Sequence, residues 1–205
     1  MNKLALISVS DKTNLDWFAK GLVNNGFDIL STGGTAKYLR EHDIPVTDVS
    51  EYTGAPEILE GRVKTLHPKL YGGILATDSD KDTSTLDKYG YHPIDMVVVN
   101  LYPFQEVIKK EDITLEDAIE NIDIGGVTLL RAAAKNFNQV VVLSNPSQYN
   151  QVLDDLRVYG DICNPDRMSL AELAFKHTME YDMAIYAFYR EMYKYLFDNE
   201  AEVIE

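Results

Sequence analysis

An α/β fold on a parallel sheet is what the 205-residue sequence predicts, and three observations predict it. Short apolar runs alternate with amphipathic stretches through the first third of the chain, as in successive strand-helix units over a sheet. Repeated β-α-β units need crossover connections, and those favour parallel pairing. Two later runs, MVVV (96 to 99) and VVVL (140 to 143), are continuously apolar, as in strands covered on both faces.

Element by element, LALIS (4 to 8) reads as a strand. Leu15, Phe18, Ala19, Leu22 and Val23 recur at helical spacing before Asn25-Gly26 closes that helix. FDILS (27 to 31) is a second strand, and residues 35 to 41 form a helix entered through Gly33-Gly34. The turn at Ile44-Pro45 leads to a short apolar segment over 46 to 49. Residues 51 to 76 carry Gly, Pro, Arg and Lys with poor periodicity and read as one long functional loop. The run that opens at Met96 ends in Asn100, Tyr102 and Pro103, which places these residues near the C-terminal end of a strand, where ligands of open α/β sheets bind. Helices are expected over 115 to 122, 127 to 136 and 147 to 158, and from Pro165 to about Phe197. In the last of these, Leu170, Leu173, Ala174, His177 and Tyr181 share one face, and Tyr186, Tyr189, Tyr193 and Tyr195 extend an aromatic stripe that reads as core or subunit contact. The final DNEAEVIE (198 to 205) reads as a solvated acidic end. The expected division is a sheet domain over 1 to 145 and a helical extension packing on it over 146 to 205.

Composition narrows the function. With 45% hydrophobic residues the chain can bury a full core. Lys and Arg total 19 against 33 Asp and Glu, a formal charge of −14 that argues against nucleic acid or an anionic membrane surface as partner. The lone Cys163 can form no internal disulfide, and no apolar run approaches the roughly 18 residues that span a bilayer. LALIS is also too short for a signal segment, so a soluble cytoplasmic protein is expected.

Against that acidic background the basic residues gather beside glycine pairs. TGGT (32 to 35) follows a strand and opens a helix, so Thr32, Gly33, Gly34 and Thr35 can offer N–H groups, hydroxyls and a positive helix end to a phosphate. The turn by itself equally suits a threonine-capped strand-to-helix connection. SVSDK (8 to 12) ends the first strand in the same way, and Ser10, Asp11 and Lys12 on a neighbouring loop favour the anion. GRVKTLHPK (61 to 69) concentrates Arg62, Lys64 and Lys69 around Val63, Thr65 and His67; a solvated basic loop is the plain alternative. IDIGGVTLLRAAAK (122 to 135) sets Asp123 and Ile124 before Gly125-Gly126 and a helix, with Arg131 and Lys135 on one face. Asp123 also fits a helix-capping carboxylate. His67 beside Pro68 has no spaced partner and reads as structural; no metal site is expected, and no GxSxG, Walker A or GxGxxG pattern is present.

Together SVSDK, STGGTAKYLRE (31 to 41), DVSEYTGAPE (48 to 57), EGRVKTLHPKLYGGIL (60 to 75), VNLYPF (99 to 104) and IDIGGVTLLRAAAKN (122 to 136) closely resemble one family, in order and over nearly the whole chain. It is the inosine monophosphate (IMP) cyclohydrolase domain, the N-terminal part of the bifunctional AICAR transformylase/IMP cyclohydrolase of purine biosynthesis. The resemblance implies a three-layer, methylglyoxal-synthase-like α/β fold. It also implies closure of the purine ring, from the formylated carboxamide ribonucleotide (FAICAR) to IMP with loss of water and without cofactor or metal. By the same resemblance the nucleotide-binding segments fall on Ser10 to Lys12, Thr32 to Thr35, Arg62 to Thr65, Val99-Asn100 and Asp123-Ile124, with Gly125 and Gly126 beside them. Lys135 matches the proton-transfer lysine, and Lys64, Tyr102 and Asp123 match the other catalytic candidates. A homodimer and a transformylase domain or enzyme as partner are implied as well.

Two departures stand out. Tyr71 occupies the place where the family usually has His, and the 205 residues hold no formylating domain, so a stand-alone enzyme and part of a bifunctional one both remain open. A methylglyoxal-synthase-like phosphate lyase and a non-catalytic purine-nucleotide sensor are the rival functions on the same fold. One geometric tension is visible already: Lys135 lies a full helix away from Asp123, so its own reach or a neighbouring subunit must bring it to the site.

Overall fold

The computed structural model describes residues 2–109 and 112–198; the acidic end beyond Asp198 lies outside the described residues. Five strands form one wholly parallel sheet among the described residues, in the order β3-β2-β1-β4-β5: β1 Lys3–Val9, β2 Phe27–Ser31, β3 Thr47–Asp48, β4 Met96–Asn100 and β5 Val141–Leu143. The central strand β1 pairs Ile7 with Ser31 on one side and Val9 with Asn100 on the other, so the ends of β1, β2 and β4 share one edge. The outermost strands are very short, two residues in β3 and three in β5.

Alternation along the strands builds two cores. Ala5, Ile7, Val9, Met96 and Val98 face α1 (Leu15–Asn24), α2 (Gly33–Glu41) and α9 (Tyr149–Tyr159). Helix α1 exists because Leu15, Phe18, Ala19 and Leu22 fall on one buried stripe, and the ring of Phe18 stacks on Tyr149 of α9 at 4.1 Å. Phe18 is fully buried, a contribution of about 2–3 kcal/mol. On the opposite face Leu6, Leu30, Val97 and Val99 meet α3 (Val49–Thr53), α4 (Pro68–Leu75), α8 (Gly125–Lys135) and α10 (Asn164–Tyr193). Helices on both faces of a parallel sheet are the three layers the sequence predicts.

Residues 51 to 76 are not one continuous loop. Helix α3 runs to Thr53, and α4 starts at Pro68, whose missing N–H costs nothing in a first turn. His67 caps α4: its Nδ1 accepts from the Lys69 N–H at 3.1 Å. Gly72-Gly73, which resemble a helix breaker, lie inside α4 because its backbone runs against the 92–94 segment; a Cβ on Gly73 would stand 2.4 Å from the carbonyl oxygen of His92. Between α3 and α4 the irregular chain is interrupted by a 3-10 turn, Leu59–Gly61, closed by an antiparallel bridge between Ile58 and Val63. A further helix, α5 (Asp80–Tyr89), carries a single buried residue, Leu86, and so leaves no periodicity to read.

The residues beyond 145 close both layers. Helix α9 joins the core of α1, while the 30-residue α10 lies along α8 and β5. Its start is tied down by Arg167, which donates to the carbonyl of Ile162 and to Asp161, each at 2.8 Å. The aromatic stripe of α10 splits: Tyr181 is buried, whereas Tyr186, Tyr189, Tyr193 and Tyr195 are exposed. Among the described residues no helix is long and apolar enough to cross a membrane.

Candidate active site

Where β1, β2 and β4 end, the sequence brings three loops together. Thr35 fixes the end of β1 by accepting from the Val9 N–H and donating to the Val9 carbonyl, at 3.1 and 3.0 Å. Asn100, the last residue of β4, accepts from the N–H groups of Ser10 and Asp11 at 2.7 and 2.8 Å and donates to the Asp11 carbonyl. Both side chains are thereby committed to shaping the loop. What remains for an anion is the Ser10 hydroxyl, the Lys12 ammonium and the start of α2, where no side chain caps Gly33 and Gly34. The Lys12 ammonium makes only long contacts, 3.4 Å each, to the carbonyls of Val9 and Ser10. Asp11 itself is held below the usual carboxylate range by hydrogen bonds from the Thr13 hydroxyl and N–H.

Beside this seat opens a cavity of ≈ 720 Å3 whose walls carry Lys64, Thr65, Tyr102 and Asp123, together with Arg62, Ile124 and the Gly125-Gly126 pair. Ser8 lines the cavity too, and its hydroxyl lies 3.2 Å from that of Thr32 at the mouth of α2, so the cavity and the anion seat adjoin. The two glycines are required by closeness. A Cβ on Gly125 would stand 2.7 Å from the Thr65 hydroxyl, and one on Gly126 would stand 2.6 Å from the Asp123 carboxylate. Asp123 accepts from the Gly126 N–H at 2.7 Å, the capping role its position also allowed, yet it remains part of the cavity wall. A second hollow, ≈ 800 Å3, opens at the other end of the strands against Lys3, Phe27 and Asp95 and is lined by none of the candidate catalytic or binding residues.

The remaining predicted residues are placed differently. Val99 is buried in β4 and offers no side chain to the cavity. Lys135 ends α8, exposed and outside the cavity wall, about 15 Å from Gly125 at about 1.5 Å per residue. Arg62 is in the cavity wall but engaged, with both Nε and an Nη donating to Glu120 of α7 (Leu115–Glu120) at 2.7–3.1 Å. Glu120 is a wall residue the sequence reading missed, because its partner is 58 positions away. Glu120→Gln is expected to release Arg62 toward the cavity and tighten binding of an anion, with inorganic phosphate as the probe, by a few fold at an unchanged melting temperature, since an exposed pair adds little stability; titration calorimetry checks it. Tyr71, in place of the family's His, shares a 2.7 Å hydrogen bond with Thr128 of α8. Burial raises the Tyr71 phenol above its usual range, the Thr128 bond opposes the rise and the nearby Asp123 adds to it. The phenol is therefore a neutral tie between α4 and α8.

The MGS-like domain family matches residues 14–128, and the AICARFT/IMPCHase bienzyme family matches residues 133–203. Proteins named bifunctional purine biosynthesis protein PurH are similar over most of the chain. That of Thermosynechococcus vestitus is 57% identical over 187 residues, 90% of this chain and 36% of that protein. That of a Thermoanaerobacter species is 51% identical over 91% of this chain and 37% of that protein, and that of Bacillus cereus 50% over 90% and 36%. The chain thus spans little more than a third of the length of these curated relatives. A crystal structure of ForH superimposes with a TM-score of 0.80 at 36% identity, covering 90% of this chain and 97% of that one.

Proposed function

The chain belongs to the MGS-like domain family, and on that premise we propose that it is an IMP cyclohydrolase, closing the ring of FAICAR to IMP with release of water. The observation that carries the reading is the adjacency of an anion seat at Ser10, Lys12 and Gly33-Gly34 to a cavity walled by Lys64, Tyr102 and Asp123, joined through Ser8 and Thr32. A ribonucleotide monophosphate has its phosphate in the first and its base in the second. Similarity to the bifunctional PurH proteins supports the same substrate.

The reaction asks a poor nucleophile, a carboxamide nitrogen, to attack the formyl carbon of the same molecule. Holding the two arms in register supplies the largest share of the acceleration. Asp123 takes the N–H proton as the C–N bond forms. The resulting oxyanion is met by the Lys64 ammonium and the N–H groups that begin α8. The oxyanion takes up one proton to become a hydroxyl, and Tyr102 or Lys135 protonates that hydroxyl as the C–O bond breaks. The formamido nitrogen releases its N–H proton as the C=N bond forms, so the two protons lost by the two nitrogens balance the two that leave in water. No cofactor or metal enters these steps.

Lys135 does not reach the cavity of its own chain, so we assign it to the site of a second copy in a homodimer. An Asp123→Asn chain and a Lys135→Ala chain, each inactive alone, are then expected to recover roughly a quarter of the activity when mixed and allowed to exchange subunits, because one site in each mixed dimer has both groups. No recovery removes Lys135 from a shared site. In the cell the chain works in the cytoplasm beside a transformylase domain or enzyme that makes its substrate.

The decisive experiment is incubation of the purified chain with FAICAR, followed by absorbance and by the mass lost as water. Turnover establishes the reaction. Binding of IMP without turnover favours a nucleotide sensor, and turnover of glycerone phosphate favours a phosphate lyase.

A further inference from the structure

We propose that Tyr181 is a positioning residue of this site: through one hydrogen bond and one ring contact, α10 sets the places of Asp123 and of the turn that carries Tyr102. The proposal rests on the cyclohydrolase reading for its kinetic consequence, but not for its geometry. Tyr181 lies 58 positions beyond Asp123, and its hydroxyl accepts from the Asp123 N–H at 2.7 Å. Asp123 is therefore held twice, by its peptide group on Tyr181 and by its carboxylate on Gly126.

The ring of the same tyrosine meets Phe104 edge-on, with centroids 6.2 Å apart, and Phe104 meets Phe188, about two turns further along α10, at 5.6 Å. Phe104 opens α6 (Phe104–Val107), and its N–H donates to the carbonyl of Tyr102 at 2.7 Å. One side chain of α10 thus supports the two wall segments that bear Asp123 and Tyr102.

Tyr181 is 8% exposed while its neighbours along the stripe face outward, so the contact is built into the core rather than shared along the helix. Burial raises the Tyr181 phenol, and the Asp123 and Asp182 charges add to the rise against the Asp123 N–H bond, so the hydroxyl stays neutral over the working pH range. Removing that hydroxyl leaves a half-buried N–H without its partner exactly where the carboxylate must be held to a fraction of an ångström.

Tyr181→Phe keeps the ring and removes only the hydrogen bond. The expected result is a folded chain whose kcat for FAICAR falls about tenfold with KM changed less than about twofold, and whose Asp123 amide exchanges about tenfold faster. Tyr186→Phe, at an exposed position of the same helix, is expected to match the parent in all three. Parent values of kcat and of Asp123 exchange in Tyr181→Phe overturn the proposal. So does a loss explained wholly by a lower melting temperature at unchanged kcat. If the parent chain itself fails to turn over FAICAR, the cyclohydrolase reading falls and Asp123 exchange alone decides the positioning. If Tyr181→Phe does not fold, the parent decides it: a protected Asp123 amide supports the proposal, and a freely exchanging one overturns it.

Discussion

Asp123→Asn is expected to leave the fold intact and to slow ring closure about a thousandfold, within the range lost when a positioned general base is removed. The choice of asparagine separates the two roles of this residue. Its side-chain oxygen still accepts from the Gly126 N–H, as asparagine and aspartate serve comparably at helix starts, so α8 keeps its first turn. What disappears is the carboxylate to which the proposed mechanism gives the carboxamide proton. Asp123→Ala removes the acceptor as well and is expected to lower the melting temperature in addition to the rate. Single-turnover rates with FAICAR, beside thermal melts of both variants, check the pair. An Asp123→Asn chain within tenfold of the parent would reduce Asp123 to a capping residue and pass the base to another group.

Gly73→Ala should be the most destabilising of the small substitutions considered. The added methyl meets the His92 carbonyl at 2.4 Å, and a backbone oxygen cannot rotate aside. The same segment is fixed further by the Ile94 N–H, which donates to the Gly73 carbonyl at 3.0 Å. Overpacking of this kind costs about 3 kcal/mol, and the better helix propensity of alanine returns about 1, for a net loss near 2 kcal/mol and a melting temperature lower by roughly 6 °C. Gly72→Ala is the matched control, since its methyl would stand 3.3 Å from the ring of Tyr91, a side chain that can shift. Urea midpoints of the two variants measure the contrast, and equal midpoints would mean that α4 and the 92–94 segment can slide apart.

That glycine also explains where the sequence stops being legible. Strand β4 was readable because its burial on both faces leaves a continuous apolar run, and α1 and α8 because each carries a wide buried stripe, whereas the two-residue β3, Thr47–Asp48, leaves no such run. Helix α4 was hidden, because a glycine pair needed for a close approach in space looks the same in sequence as a pair that ends a helix. Helix α5 was hidden for the opposite reason: with Leu86 alone inward, solvent faces most of its turns. The site divides along the same line. Lys64, Tyr102, Asp123 and the two glycine turns lie in short motifs and could be placed from local order. The Arg62–Glu120 pair and the Tyr181–Asp123 bond join positions 58 apart, and no local pattern encodes them. Ser8 was within reach, since it belongs to the same SVSDK segment as Ser10 and Lys12.

The brevity of β3 and β5 bears on how copies of the chain meet. A long bare outer strand is a template onto which another chain can add its own backbone, and that route leads to open-ended stacking. Here one rim offers two residues and the other three, with α10 lying along β5. Addition by backbone pairing would gain too few bonds to persist. Association is left to side chains, whose fit ends after a defined number of partners, so the protein should remain dispersed at concentrations where a molecule with long bare rims would form fibres.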